Sequence, residues 1–288
     1  MYNNARKRFG VILILILFVI MAFELGCIGK AQTDYNLKYN FHVGDRLVYN
    51  CTYLTSDTYY TGYITNNTNY TGPIRIEMLV TDFDGKNITS KMTSTKTTNE
   101  NTTESSYVTI MDVYGNLIRS DPKDKIIPEV QPELPNLLKY PEKETQEGKP
   151  WTIVFKNNIN ENPLLKDEFE GTGNYTFLGT KTISTKAGKF ECIGIKSETN
   201  FVSNAKRDYS NTTIHYTTVG NISGVNWIDL NGGFSVKSNY IMDKTLTIDL
   251  SGLANNSEYQ KVGIENVSIN SPTIETHIIN ELESVQKG

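Results

Sequence analysis

Few side chains in this 288-residue chain could carry reaction chemistry, and they are scattered. The three histidines, His42, His215 and His277, stand alone, and no His-x-x-x-His or Cys-x-x-Cys pair supplies zinc spacing. No Gly-x-Ser-x-Gly elbow occurs, nor a glycine-rich phosphate loop ahead of a helix. Asp82-Phe83-Asp84-Gly85-Lys86-Asn87 offers oxygens as a calcium loop would, but it lacks the downstream bidentate glutamate. Asp84-Gly85 is also a favoured hairpin dipeptide, so a turn is expected there and not a metal. Glu168 with Glu170, and Glu191 with Asp229, could act as carboxylate pairs only where the fold happens to converge them. The reading is no catalytic residue, no metal and no cofactor. Seventeen tyrosines could line a glycan groove, but tyrosine equally suits amphipathic strands.

Cys27 has the clearest chemical context. Arg6, Lys7 and Arg8 precede the apolar run Val11–Phe23, which leads into Glu24-Leu25-Gly26-Cys27. A basic flank stays cytoplasmic while the apolar run enters the bilayer. Thirteen residues make about 20 Å of helix, short of the roughly 30 Å hydrocarbon core, which favours a signal peptide over a permanent span. The end of the run resembles a lipoprotein processing site, with a small residue before a thiol that a lipid donor can alkylate. It departs from bacterial lipoboxes in carrying Glu24 where an aliphatic residue is preferred. Two alternatives stand beside lipidation. One is an uncleaved anchor over Phe9–Ile28 with Glu24 snorkelling, and the other is free secretion. All three place Ala31 onward outside the cytoplasm, and lipidation or an anchor holds it on the extracytoplasmic face of the cell membrane.

Export gives meaning to the other cysteines and to the asparagines. Cys51 and Cys192 form an even pair that an oxidising compartment could bridge. Strand phase divides them: Cys51 is in step with Leu47, Tyr49 and Tyr53, whereas Cys192 falls opposite Ile193 and Ile195. Asn-x-Ser/Thr sequons occur at Asn50, Asn66, Asn69, Asn87, Asn101, Asn174, Asn211, Asn221, Asn255 and Asn266. That is about double the roughly five this composition yields by chance. Phase points Asn50 and Asn174 toward solvent. The net charge of −4 and the absence of a basic patch exclude nucleic acid as a partner.

The elements that must position these residues read as strands. After a leader (1–26) and a polar tether (27–36), residues 37–286 read as one antiparallel β domain. Phe41–Asp45 turns into Arg46–Leu54, and Ile74, Ile76, Met78 and Val80 alternate with polar residues. Further strands are expected at Ile88–Thr98, Ser106–Val113, Leu117–Ile118, Trp151–Phe155, Asn174–Leu178, Lys181–Thr185, Phe190–Thr199, Thr212–Thr218, Val225–Leu230, Phe234–Met242, Lys244–Leu250 and Ile274–Leu282. Residues 120–150 hold six of the nine prolines, which forbids a central strand or long helix and makes a connector. Leu134–Tyr140 could form one helical turn, and Thr276–Val285 could be strand or helix. The fold class is therefore all-β with minor α, a curved antiparallel sheet or half-barrel behind an N-terminal signal or anchor helix.

Three stretches, Thr185-Lys186-Ala187-Gly188-Lys189-Phe190-Glu191-Cys192, Trp227-Ile228-Asp229 and Asn231-Gly232-Gly233-Phe234, form a hairpin, a Trp-bearing strand and a Gly turn. This succession resembles uncharacterised prokaryotic lipoproteins, archaeal ones in the first place, and through them the LolA/LolB class of lipoprotein carriers. The resemblance covers about a quarter of the chain. It implies a curved sheet around a plug, with a concave apolar face able to hold lipid, and the connector would have to serve as plug. The function expected is a membrane-tethered, non-enzymatic binding module for an apolar ligand or an envelope protein. The alternative is a structural or adhesive envelope glycoprotein of two β-sandwich-like domains divided near Pro122–Pro150.

Overall fold

The computed structural model describes residues 34–61, 64–97, 101–121, 138–162, 165–209, 212–251, 268–270 and 273–288. The leader, Cys27, the end of the tether before Asp34 and the connector from 122 to 137 lie outside them. The fold below is that of Tyr35–Gly288.

Among the described residues there are fourteen strands and no α-helix. They are β1 (Asp34–Tyr35), β2 (Arg46–Thr61), β3 (Ile64–Phe83), β4 (Asn87–Thr97), β5 (Thr102–Asp112), β6 (Leu117–Asp121) and β7 (Thr145–Gln146). The series continues with β8 (Pro150–Asn162), β9 (Leu165–Thr185), β10 (Gly188–Tyr209), β11 (Thr212–Asp229), β12 (Ser235–Asp249), β13 (Ser268–Asn270) and β14 (Ile274–Gln286). Several pairs of short expected strands are single long ones. Asn174–Leu178 and Lys181–Thr185 both belong to β9, and Thr212–Thr218 and Val225–Leu230 both fall largely in β11.

Twelve strands form one open sheet in the order β6-β5-β4-β3-β2-β14-β12-β11-β10-β9-β8, with β13 beside β12, while β1 and β7 pair separately. Two antiparallel meanders thus meet at β14. One runs outward from β2 to β6, and the other runs inward from β8 to β12. The connector 122–149 leads from one edge of the sheet to the opposite edge. Strands before and after it share this sheet, so the division into two sandwich-like domains is not how the chain folds. The C-terminal stretch is a strand and not a helix because both its edges are claimed, by β12 and by β2. Its burial alternates accordingly, with Ile274, Thr276, Ile278, Asn280 and Leu282 inward.

The sheet is curled. Residues of β9 come within 8 Å (Cα–Cα) of β12 and β14, whereas a flat sheet would hold strands three and four places apart at about 14 and 19 Å. Among the described residues five of six register slips, at Val80/Asp82, Ile110/Met111, Ile193/Ile195, Trp227/Ile228 and Leu282/Ser284, fall toward the same end of the sheet, and the sixth, at Ile159/Asn162, toward the other. Bulges increase local twist and bend a strand, and a row of them tightens that end.

The inner face of the curl is filled by the chain itself. Tyr35, Leu37, Tyr39 and Phe41 alternate with exposed Asn36, Lys38 and Asn40 and turn inward. Tyr35 stacks on Phe177 at 4.9 Å, Tyr39 on Phe41 at 5.5 Å, and Phe41 on Phe234 at 6.4 Å between ring centroids. Tyr140, from the end of the connector, lies against Tyr39 at 5.0 Å. The plug therefore has two parts, and one of them is the stretch that composition assigns to the tether and first turn. Leu138–Tyr140, the described end of the expected helical turn, is irregular chain.

Hydrogen bonds lock the plug. The Tyr39 amide donates to the Val113 carbonyl (2.8 Å), the Asn40 amide to Gly232 (3.0 Å) and the Tyr140 amide to Tyr114 (2.8 Å). The Tyr39 hydroxyl donates to the Leu138 carbonyl at 3.1 Å, and the Tyr140 hydroxyl to the Gly233 carbonyl at 2.7 Å. Burial drives the Tyr39 and Tyr140 phenols far up from their usual titration range, so both remain donors. Replacing Tyr140 by Phe removes a buried donor and strands the Gly233 carbonyl, which should cost about 1–2 kcal/mol. Tyr140→Ala should cost about 3–5 kcal/mol because it also opens a cavity. Urea unfolding midpoints at constant m check both, and a neutral Tyr140→Phe would contradict the geometry.

Candidate functional site

At the bulged end of the sheet the plug, two turns and the C-terminal residues surround a cleft of about 700 Å³. Its lining includes Asn40 from the plug, His42 and Asp45 from the turn into β2, Lys189, Phe190 and Glu191 from the start of β10, Asp229, Asn231, Gly232 and Phe234 from the β11–β12 turn, and Val285, Lys287 and Gly288. The stretches singled out as hairpin, Trp strand and Gly turn thus converge on one place. Their register explains how: Cys192 stands opposite Asp229, and Gly194 opposite Trp227. A Cβ at Gly194 would lie 2.9 Å from the Trp227 ring, so glycine there lets the indole cross β10.

The β11–β12 turn is held from inside. Asp229 Oδ2 accepts the Gly232 amide at 2.6 Å, and the Gly233 amide donates to the Asp229 carbonyl at 2.9 Å. Gly233 has φ of 68°, and a Cβ there would run into the Lys38 carbonyl of the plug. Only glycine meets both demands. The Phe234 ring forms the floor at 2% exposure, with Phe190 edge-on at 6.1 Å and the Lys287 ammonium 5.5 Å above the ring. The Leu230 amide donates to the Glu191 carbonyl at 3.0 Å, and Thr182 Oγ1 donates to Glu191 Oε1 at 2.6 Å.

Asp45, 1% exposed, ties the C-terminal residues to the start of β2. Its carboxylate accepts the His42 amide (3.0 Å), the Gly288 amide (3.0 Å) and the Lys287 ammonium (3.2 Å). Burial pushes this carboxyl upward, but those donors outweigh it and hold it below its ordinary range. No motif announces Asp45. The available signal was an aspartate next to a turn glycine, Gly44, whose φ is 94°.

Cys51 and Cys192 are both buried thiols, and no disulfide joins them. They sit on β2 and β10, with β14, β12 and β11 between them in the sheet. The outward phase read for Cys192 does not hold. The register slip at Ile193/Ile195 and the cover of the neighbouring turn leave Cys192 and Ile193 both at 0% exposure. Burial first, and the charges of Asp229 and Glu191 after it, push the Cys192 thiol up to about 12.

The remaining sites disperse. Asn101 and Asn174 are exposed, and Asn50 is half-buried between inward Tyr49 and Cys51. The Asn87 Nδ2 that a glycan would need donates to Asp84 Oδ2 at 3.0 Å, and that of Asn221 to Asn200 Oδ1 at 2.9 Å. Asn66 and Asn69 pair with Tyr59 and Ser56 on the β2–β3 hairpin. Asn211, Asn255 and Asn266 lie outside the described residues. Asp84 spends its oxygens on the turn, accepting the Lys86 and Asn87 amides, which lower its titration range. Among the described residues no group of three His, Cys, Asp or Glu could hold a metal. A second polar constellation, unforeseen from sequence, lies on the inner face. There Ser235 Oγ donates to Asn226 Oδ1 at 2.6 Å and Asn280 Nδ2 donates to Ser238 Oγ at 3.0 Å.

No family model matches the chain, and no curated protein matches it. Two of the solved structures that resemble it distantly are bacterial. One is an exported-protein candidate with a YmcC-like fold from Bacteroides fragilis, with 14% identity and a TM-score of 0.33. The other is a lipoprotein candidate from Parabacteroides distasonis, with 10% identity and a TM-score of 0.35. In each case 88% of this chain is aligned with 100% of the other. Likeness at that level assigns this chain neither a fold family nor a function.

Two outcomes follow from the cleft's electrostatics. A carboxyl held low in the folded state stabilises it above the unfolded carboxyl's range, about pH 3.9, and that contribution is lost as pH falls through the folded value. Asp45→Asn should therefore cost about 1–3 kcal/mol at pH 7. It should also remove part of the wild type's loss of stability below about pH 4; unfolding curves with an unchanged acid slope would contradict the assignment. Cys192 should resist iodoacetamide at pH 8 in the native protein and react on unfolding, because the thiolate is the reactive species. Rapid native labelling, located by peptide mapping, would count against its burial.

Proposed function

We propose that the protein is a non-enzymatic binding module on the extracytoplasmic face of the cell membrane, moored through Cys27, with its ligand in the cleft at the bulged end of the sheet. The observation that carries the reading is the cleft itself. It has the half-buried Phe190 and Val285 as its apolar surface, a rim of Lys189, Glu191, Asn231 and Lys287, and a frame fixed by the plug. A pocket of this size with few placed polar groups is where a small ligand is accommodated. The concave face offers less to an apolar ligand, since Tyr35, Leu37, Tyr39, Phe41 and Tyr140 occupy it. What the cleft presents is donors and acceptors for recognition. Its nearest thiol, Cys192, is buried and protonated, which suits structure better than nucleophilic attack.

Tether and site are tested together on the full-length protein. Cys27→Ser should move it from the membrane to the soluble fraction and remove a lipid mass from the N-terminal peptide. A thermal-shift panel of saccharides, amino acids, amines and carboxylates should contain at least one compound giving a saturable rise. That rise should be roughly 2–4 °C for each kcal/mol of binding linkage in a domain of this size. It should disappear in a Lys189→Ala/Asn231→Ala variant. A flat response across the panel, or a rise that survives both substitutions, would sink the cleft as the site.

A further inference from the structure

We infer that the ligand of this cleft is a polyhydroxylated, near-neutral molecule of the saccharide class, an inference that rests on reading the cleft as the binding site. Charge decides against an anion. Three carboxylates, Asp45, Glu191 and Asp229, face two ammonium groups, Lys189 and Lys287, with the His42 ring beside them. The Lys287 ammonium is already 3.2 Å from Asp45, so its charge is compensated within the protein. An anion would meet no uncompensated cation here, since Lys287 is spent on Asp45 and Lys189 faces both Glu191 and Asp229; the one carboxylate charge left over makes a cation the ionic class that the test must exclude.

Surface chemistry calls for a ligand that is itself mixed, with apolar faces and polar edges. The Phe234 face is covered by Lys287, and the ring itself is 2% exposed. The apolar surface left to a ligand is the half-buried Phe190 and Val285. Around it stand planar groups of both senses. Asn40 and Asn231 carboxamides donate and accept, Glu191 and Asp229 carboxylates accept, and Lys189 donates. Asp229 commits one oxygen to the Gly232 amide and Glu191 commits one to Thr182, so each keeps lone pairs for a further donor. A pyranose presents that complement: adjacent hydroxyls that each donate and accept, around C–H faces that pack against an aromatic edge. Within the usual range of ligand pockets, the volume of about 700 Å³ has room for a disaccharide.

Saturation-transfer NMR on the full-length protein in detergent micelles tests this, with cellobiose and N,N′-diacetylchitobiose as probes. Hexanoate, putrescine and glycerol 3-phosphate serve as the apolar, cationic and anionic alternatives. Lys189 and Asn231 are both exposed, so the Lys189→Ala/Asn231→Ala variant should keep its fold. The expected result is transfer to at least one disaccharide, with affinity about tenfold weaker in that variant. Transfer to an alternative probe alone, weakened by the same substitutions, overturns the saccharide class and leaves the cleft as the site. Disaccharide transfer that the substitutions do not weaken places the sugar elsewhere and overturns the inference. Silence from every probe overturns both the class and the reading of the cleft.

Discussion

An open twelve-stranded sheet with an apolar inner face cannot stand alone, because closure of a barrel is one way to shield that face and the alternative is to cover it. This chain covers it. Tyr39 and Tyr140 meet at 5.0 Å inside the curl, each with its hydroxyl on a backbone carbonyl. Everything else is arranged so that this contact can form. β14 seals the seam between the two meanders, the row of bulges tightens one end, and the chain just before β7 supplies Tyr140. Aromatic side chains suit the task, since each buries a large area while its polar end finds a partner.

The cleft is a consequence of that contact. The Tyr140 hydroxyl reaches the Gly233 carbonyl, and the Asn40 amide reaches the Gly232 carbonyl. The plug therefore holds the β11–β12 turn by its main chain and sets where Asp229 and Phe234 stand. Asp45 performs the matching service on the other side by fixing Lys287 and Gly288. A recognition site built this way is preorganised, because its walls are backbone segments locked by buried hydrogen bonds and only its rim side chains must adjust. The same locks explain why the cleft lies at the bulged end. There strands slip register, and turn residues come free of the ladder to face outward.

Much of the fold was legible because period-two alternation is a local signal. The positions of β2, β3, β4 and β10 follow from residues such as Ile74, Ile76, Met78 and Val80. The turn at Asp84-Gly85 follows from composition and is confirmed by a φ of 90° at Gly85. Long-range pairing was not legible. Ile274–Leu282 reads as a strand, but nothing in Ile274–Gln286 says that it lies between β2 and β12, so a weak helical pattern over Thr276–Val285 competes with it. The plug was misplaced for a related reason: Tyr35, Leu37, Tyr39 and Phe41 do alternate, but the short polar neighbours between them read as tether. Cys192 was misphased because a bulge changes facing by one residue, and bulges leave little trace in sequence. The cleft's hairpin and Gly turn were visible as motifs. Their convergence, and the part taken by Asp45, depended on tertiary structure.

The chain fills its own concave face and thereby shapes the cleft. Native-state hydrogen exchange at single-residue resolution tests it most directly. The amides of Tyr39, Asn40 and Tyr140 each donate to a carbonyl elsewhere in the fold. They should exchange as slowly as the amides of Tyr49 and Ile195 in the central strands, through global unfolding. Exchange of those three at the rate of an exposed loop, with the strands still protected, would show that the concave face is open and that the plug does not hold the cleft.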